Sequence, residues 1–338
     1  MQQKYLLGCD WGTSSFRLRL FDIESQSVKA EISTREGVAA TYRAWQQNVK
    51  QHDSLSCELF FRHELKRQID LISQKVSADL HNILVILSGM ASSSIGMRNL
   101  AYSNVPFALD GSSAEIQKIC SDDILPHDIL LVSGVKTDHD VLRGEETQLL
   151  GLISLLKNSN QYKEESILVF PGTHSKHIYI QHEAMINFKT YMTGEIYSLL
   201  GTHSILRDSV DITKLTMTSS EDKKVFREGV RATLDACILH QLFSVRTNNL
   251  FELFDLRQNA FYLSGLLIGS ELKCLSNQKD LPVYLCSSSN LHDFYEVALD
   301  ELGMLERSII LPMEMMDRAT ITGQFLLYKK TNSLLNAI

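Results

Sequence analysis

The chain has 338 residues, 44% hydrophobic and 22% charged, with a formal charge of −7. That is the composition of an ordinary globular protein of about two domains, and the lack of a long basic run argues against a nucleic-acid or anionic-membrane surface. Six scattered cysteines without a C-x-x-C pair point to reduced thiols rather than a zinc site, and no apolar stretch reads as a leader or a bilayer span, so a cytoplasmic protein is expected.

Strand signals run through Tyr5–Cys9, Phe16–Phe21 and Val28–Ser33. The first two flank a tight turn in "GCDWGTSSFRLRLFD" (Gly8–Asp22), where the alternation after the turn predicts strand–turn–strand. Consecutive backbone N–H groups and hydroxyls in such a turn can hold a phosphate, although an ordinary hairpin reads the same way. The Gly-Lys-Ser/Thr ending of a Walker loop and the three spaced glycines of a dinucleotide site are both missing. An amphipathic helix is expected over Glu58–Val76, with Leu65, Ile69 and Ile72 on one face. A buried strand, Ile83–Leu87, then enters a Gly/Ser-rich loop, and another, Ile129–Val132, leads through "SGVKTDHDVLRGEETQLLG" into a helix. "SILVFPGTHSKHIYIQ" reads as a second strand–turn–strand. Helices near Phe226–Leu242 and Phe261–Leu275 follow, then strand Val283–Cys286, helix Leu291–Leu302, strand Ile309–Leu311 and a helix from about Ala319. Mixed strands followed by helices in both halves indicate α/β domains. The polar stretch Asn158–Glu165 is the best boundary, giving domains 1–157 and 158–338.

The two strand–turn–strand segments echo each other: Gly12-Thr13-Ser14-Ser15 in one half, Gly172-Thr173-His174-Ser175 in the other. With them stand "DWGTSSFR" (Asp10–Arg17), "SGMASSSIG" (Ser88–Gly96), "LRGEETQLLG" (Leu142–Gly151), "PGTHSK" (Pro171–Lys176), "MTGE" (Met192–Glu195) and "LSGLLIGSEL" (Leu263–Leu272). In this order the set resembles the acetate and sugar kinase, actin and heat-shock ATPase superfamily, and within it the 2-keto-3-deoxygalactonokinases (2-dehydro-3-deoxygalactonokinases), over nearly the whole chain. The resemblance implies two related actin-like (ribonuclease H-like) domains, each a mixed sheet with helices, facing each other across a nucleotide cleft. It also implies ATP- and Mg²⁺-dependent phosphorylation of the 6-hydroxyl of 2-dehydro-3-deoxy-D-galactonate.

Residue by residue, the resemblance assigns Asp10 to Mg²⁺, since a hard carboxylate suits that ion through its bound waters. Gly12, Thr13, Ser14 and Ser15 take one side of the triphosphate, and Gly172, Thr173, His174 and Ser175 the other. Lys176 or Arg17 neutralises developing charge. In the more distant FGGY sugar kinases the general base is an Asp after Gly at a helix start; Glu145 after Gly144 matches it, with Glu146 as the alternative. Gly89, Met90, Ser92, Ser93, Arg98 and Arg143 are the expected sugar-acid contacts, an Arg being suited to a carboxylate. Adenine is expected at Ser287, Ser288, Ser289 and Asn290, where relatives usually have a glycine. His177 and Met97 also depart from the usual family pattern. The expected partners are a small-molecule sugar acid and ATP, not nucleic acid or membrane, and a homodimer is left open. The rivals are a related kinase acting on another sugar acid, a non-catalytic ATP-binding module and a sugar-sensing regulator.

Overall fold

The computed structural model describes residues 3–51, 55–213, 215–234, 237–278, 280–287 and 291–335. The chain divides into two units: Met1–Tyr162 with Glu183–Ile186 and Arg318–Ile338, and Lys163–His182 with Asn187–Asp317.

In the first unit, alternating apolar residues build an antiparallel meander of β1 (Tyr5–Trp11), β2 (Phe16–Asp22) and β3 (Ser27–Thr34). On the other side of β1 lie β4 (Val85–Gly89) and then β8 (Ile129–Val132), both parallel, with β7 (Ile116–Ile119) antiparallel at the edge. Strands β5 (Ser103–Asn104), β9 (Val135–Lys136) and β10 (Val141–Leu142) make a small second sheet, and β6 (Phe107–Ala108) pairs with the start of β13 (Ala184–Tyr191). Helices α1 (Val38–Gln51) and α2 (Cys57–Val76) follow the meander, and α3 (Glu145–Asn158) follows β10. The Ser56 hydroxyl caps α2 by accepting the Leu59 N–H, and Phe61, Leu65, Ile69 and Ile72 bury one stripe in the core containing Leu7, Cys9 and Trp11.

The second unit repeats the arrangement. Strand β11 (Ser166–Phe170) pairs antiparallel with β12 (Ser175–Gln181), which neighbours β13; β14 (Val283–Leu285) and β15 (Ser308–Ile310) add parallel strands on the far side. The order β3-β2-β1-β4-β8 in one unit therefore corresponds to β13-β12-β11-β14-β15 in the other. Helices α4 (Thr193–His203), α5 (Ser220–Arg231), α6 (Ile238–Leu250), α7 (Leu256–Lys273) and α8 (Leu291–Glu301) complete this unit. Capping boxes start α5 (Ser219 with Asp222) and α7 (Asp255 with Gln258), and α7 runs through the core, buried on most sides.

Several elements differ from the sequence expectations. Helix α1 shows no clear period because, among its described residues, Val38 is the one apolar side chain that is fully buried. Helix α4 and strand β13 were also unanticipated. The single helix expected near Phe226–Leu242 is two, α5 and α6; past Arg231 the Thr233 hydroxyl turns back to donate to the Val230 carbonyl at 2.7 Å. The last helix, α9 (Met313–Leu335), begins earlier than expected, and from Arg318 it belongs to the first unit rather than the second. The reason is close packing. A Cβ on Gly151 of α3 would lie 1.8 Å from the Ala319 carbonyl oxygen, and one on Gly323 of α9 would lie 1.8 Å from that of Thr147, so the two backbones touch. The Gln324 amide also donates to the Cys9 carbonyl (2.8 Å) and the Ser88 hydroxyl (2.9 Å), knitting α9 to β1 and β4. Among the described residues no helix is long and apolar enough to cross a membrane.

Candidate active site

In the first unit the site grows from the ends of β1 and β4. The turn after β1 is closed by the Gly12 N–H donating to the Ser15 carbonyl (2.9 Å). Its outward carbonyls are taken from behind by the first amides of α1: Val38 to Gly12 (2.9 Å) and Ala39 to Thr13 (3.1 Å). Gly37, which the sequence motifs do not single out, makes this possible; a Cβ there would lie 2.4 Å from the Thr13 oxygen. Thr13, Ser14 and Ser15 remain exposed.

Asp10 lies one residue before the end of β1, opposite Arg17 of β2 and Ser88 of β4. Burial, and then the neighbouring charge of Glu145, push its carboxyl up to about 6 against the opposing pull of Arg17 and Arg19. Two glycines bring the surrounding backbone in. Gly89 (φ 90°) and Gly144 (φ 109°) both adopt the conformation open chiefly to glycine. A Cβ on Gly89 would lie 2.7 Å from the Trp11 oxygen and 3.2 Å from Asp10 Oδ1, and one on Gly144 would lie 3.2 Å from the Gly89 Cα.

The two glutamates that open α3 differ. Glu145 is half-buried, and its Oε2 accepts the Arg143 N–H at 3.0 Å. Glu146 is 1% exposed and faces inward, accepting the Gly144 N–H (2.6 Å) and the Thr147 hydroxyl (2.8 Å). Burial and then the charge of Glu145 push Glu146 up to about 7, against those hydrogen bonds.

The expected sugar-acid residues divide similarly. The Arg98 guanidinium makes a two-pronged pair with Glu58 on α2 (2.9 and 2.6 Å). Arg143 is buried, stacks 4.1 Å from the centre of the Tyr102 ring, and donates to the Ser92 hydroxyl (2.6 Å) and the Leu100 carbonyl (3.3 Å). Arg143 thus braces the loop after β4 from within, and Arg98 ties that loop to α2. Gly89 and Met90 lie at its start, and the Ser93 hydroxyl is buried there without a protein partner.

In the second unit, Gly172, Thr173 and His174 form the turn between β11 and β12. His174 Nε2 lies 2.5 Å from Glu195, and the Lys176 ammonium donates to the His174 carbonyl at 2.9 Å, inside the turn. Ser175 is fully buried and donates to Glu271 of α7 at 2.6 Å. The "MTGE" segment, which had no role from sequence, starts α4 against this turn. A Cβ on Gly194 would lie 2.8 Å from both the Gly172 oxygen and the Thr173 Cα, and the Glu195 N–H donates to the Thr173 carbonyl (3.0 Å).

Beside Gly172 opens a cavity of ≈ 110 Å³, walled by Leu267 and Ile268 of α7, Phe294 and Tyr295 of α8, Tyr197 of α4, and Leu215 and Leu291. Ser264 and Thr193 also line it, and the Tyr197 hydroxyl has no protein partner. Nothing in the sequence announces this cavity, because apolar helix faces read as core. Of the expected adenine residues, Ser287 is buried just after β14, whereas Ser288, Ser289 and Asn290 lie outside the described residues.

A family model described as 2-keto-3-deoxy-galactonokinase matches residues 10–324. The chain is 29% identical over 313 residues to "Probable 2-dehydro-3-deoxygalactonokinase DgoK1" of Rhizobium meliloti (strain 1021), covering 90% of this chain and 92% of that protein. It is 30% identical over 226 residues to the 2-dehydro-3-deoxygalactonokinase of Escherichia coli (strain K12), covering 65% and 71%. A crystal structure of a candidate 2-dehydro-3-deoxygalactonokinase from Sinorhizobium meliloti superimposes with a TM-score of 0.76 at 27% identity, over 97% of this chain and 99% of that one.

Proposed function

The chain belongs to the 2-keto-3-deoxy-galactonokinase family and is an ATP-dependent phosphotransferase of 2-dehydro-3-deoxygalactonate; we propose that the acceptor is the 6-hydroxyl and that Glu145 takes its proton. The observation that carries the base is the contrast between neighbours. Glu145 is half-buried, fixed by the Arg143 N–H and near Asp10, whereas Glu146 is buried with its carboxyl turned to Gly144 and Thr147. A base must reach the proton it removes, so Glu145 is the catalytic residue and Glu146 positions the start of α3.

The proposed triphosphate contacts are Gly12–Ser15 with Arg17, and Gly172, Thr173 and His174. Ser175 and Lys176 act from behind, holding the second turn through Glu271 and the His174 carbonyl. Adenine takes the apolar cavity beside Gly172, which Leu291, Phe294 and Tyr295 wall. Gly89, Met90 and Ser93 meet the sugar acid, while Ser92, Arg98 and Arg143 shape the loop that presents them.

Asp10 fits Mg²⁺: it offers hard oxygen, the carboxylate of Glu145 lies near enough to act on it, and its raised pKa marks a buried charge that a cation would stabilise. Bound there, Mg²⁺ supplies charge neutralisation for the transferring phosphoryl group. The protein's own part is to align the hydroxyl with the γ-phosphate and remove its proton late, as expected for a loose transition state. The work belongs in the cytoplasm, where ATP is made.

The test is ADP release with Mg²⁺-ATP and a panel of 2-dehydro-3-deoxy-D-galactonate, its gluconate epimer, galactonate and hexoses. Turnover is expected on the galactonate-derived keto acid, falling ~10²–10⁴-fold in Glu145→Gln. Turnover that survives the substitution removes Glu145 as base, and preference for another sugar acid replaces the substrate.

A further inference from the structure

We propose that Glu271, a residue that touches neither reactant, positions the second Gly-Thr turn for the nucleotide by gathering four side chains onto one buried carboxylate. This rests on reading that turn as a phosphate contact. Glu271 lies near the end of α7 and is 3% exposed. Its Oε1 accepts the Ser175 hydroxyl at 2.6 Å and His177 Nε2 at 3.0 Å, both from β12. Its Oε2 accepts the Tyr295 hydroxyl of α8 at 2.8 Å and the Thr193 hydroxyl at the start of α4.

A carboxylate so buried is costly unless its lone pairs are met. Here they are: although burial alone would raise its pKa, the hydrogen bonds from His177, Ser175 and Thr193 hold the group below the usual carboxylate range. The charge is therefore a permanent anchor. What it anchors is specific. Ser175 is the residue where the turn enters β12. Thr193 precedes Gly194, whose missing Cβ lets α4 lie against the turn backbone at Gly172 and Thr173. Thr193 and Tyr295 also line the cavity beside Gly172. One carboxylate thus fixes the exit of the turn, the helix it leans on and a wall of the cavity. The family departure at His177 falls into the same cluster: its ring is fully buried, donates to Glu271 and packs 4.5 Å from the Tyr191 ring.

The experiment measures binding of ADP with Mg²⁺ by calorimetry, without sugar acid, and separately KM for ATP and for the sugar acid. The variants are Glu271→Gln, Ser175→Ala and the pair combined. Glu271→Gln replaces two acceptor oxygens by one acceptor and one donor, so the cluster cannot be satisfied as it stands. The expectation is a rise of about tenfold in the ADP dissociation constant and in KM for ATP, the size of one charged hydrogen bond, with KM for the sugar acid unchanged. Ser175→Ala leaves three donors on the carboxylate and so keeps the fold. It should raise the same two constants, and the pair combined should add little to Glu271→Gln. A melting temperature that falls while ADP binding stays at the wild-type level in Ser175→Ala, or in folded Glu271→Gln, would reduce Glu271 to a structural role and overturn the proposal. Wild-type protein that binds no ADP would instead overturn the nucleotide reading on which the proposal stands.

Discussion

Replacing Glu146 by Gln removes a buried charge while keeping the shape and both hydrogen bonds, since the amide oxygen can accept the Gly144 N–H and the amide nitrogen can donate to the Thr147 hydroxyl. In the wild type, burial and Glu145 raise this carboxyl from 4.5 to about 7. The folded state therefore holds the proton more tightly than the unfolded chain. The stability this contributes is fully present below pH 4.5 and is lost as pH rises through 7. At roughly 1.4 kcal/mol per pH unit, the loss comes to about 3 kcal/mol. Glu146→Gln resembles the protonated acid at every pH and escapes that loss. Its stability relative to wild type should improve by about 3 kcal/mol between pH 4.5 and pH 8. Urea unfolding of both proteins at the two pH values, without ligands, reads this difference directly; changes at Asp10 occur in both proteins and cancel. A stability difference that is the same at both pH values would refute the reasoning, because it would mean that Glu146 is not a raised, buried acid. Turnover at pH 8 should stay within about tenfold of wild type, since the residue positions rather than transfers protons.

Gly323→Ala brings a Cβ to 1.8 Å from the Thr147 carbonyl, which no rotamer relieves, so α3 and α9 must part. A loss of about 1–3 kcal/mol in stability is expected from thermal unfolding, together with a fall in kcat larger than any change in either KM, because α3 carries Glu145. Ile268→Trp fills the cavity beside Gly172 and should raise KM for ATP by about tenfold or more while leaving KM for the sugar acid unchanged. An unaltered KM for ATP would move adenine elsewhere.

Local features carried the sequence reading furthest. The two turns were readable as strand–turn–strand because Gly12–Ser15 and Gly172–Ser175 break two apolar runs with small polar residues, and each half repeats its sheet order around them. The pairings of charged groups were not readable, because their partners are distant in sequence. Arg98 meets Glu58 forty residues away, and Arg143 meets Ser92 fifty-one residues away. Either arginine looked available for a substrate carboxylate. Glu271 sits in the motif "LSGLLIGSEL" with no role of its own from sequence; nothing nearby in the chain announces donors from β12, α4 and α8. The cavity was hidden for the opposite reason. Leu267, Ile268 and Phe294 look the same whether they face another side chain or an opening.

The contact of α9 with α3 and β1 sets a schedule for making the enzyme. The partner of the Cys9 carbonyl, the Gln324 amide, is translated 315 residues later. Domains fold as units, usually from the N-terminus during synthesis, yet this first unit lacks the α9 segment from Arg318 onward until that stretch is made. The first Gly-Thr turn and Glu145 are thus translated early but locked late. A chain cut short before Arg318 carries every proposed contact residue and still leaves α3 unsupported where Gly323 should touch it. The base is set in place only once α9 has packed against α3.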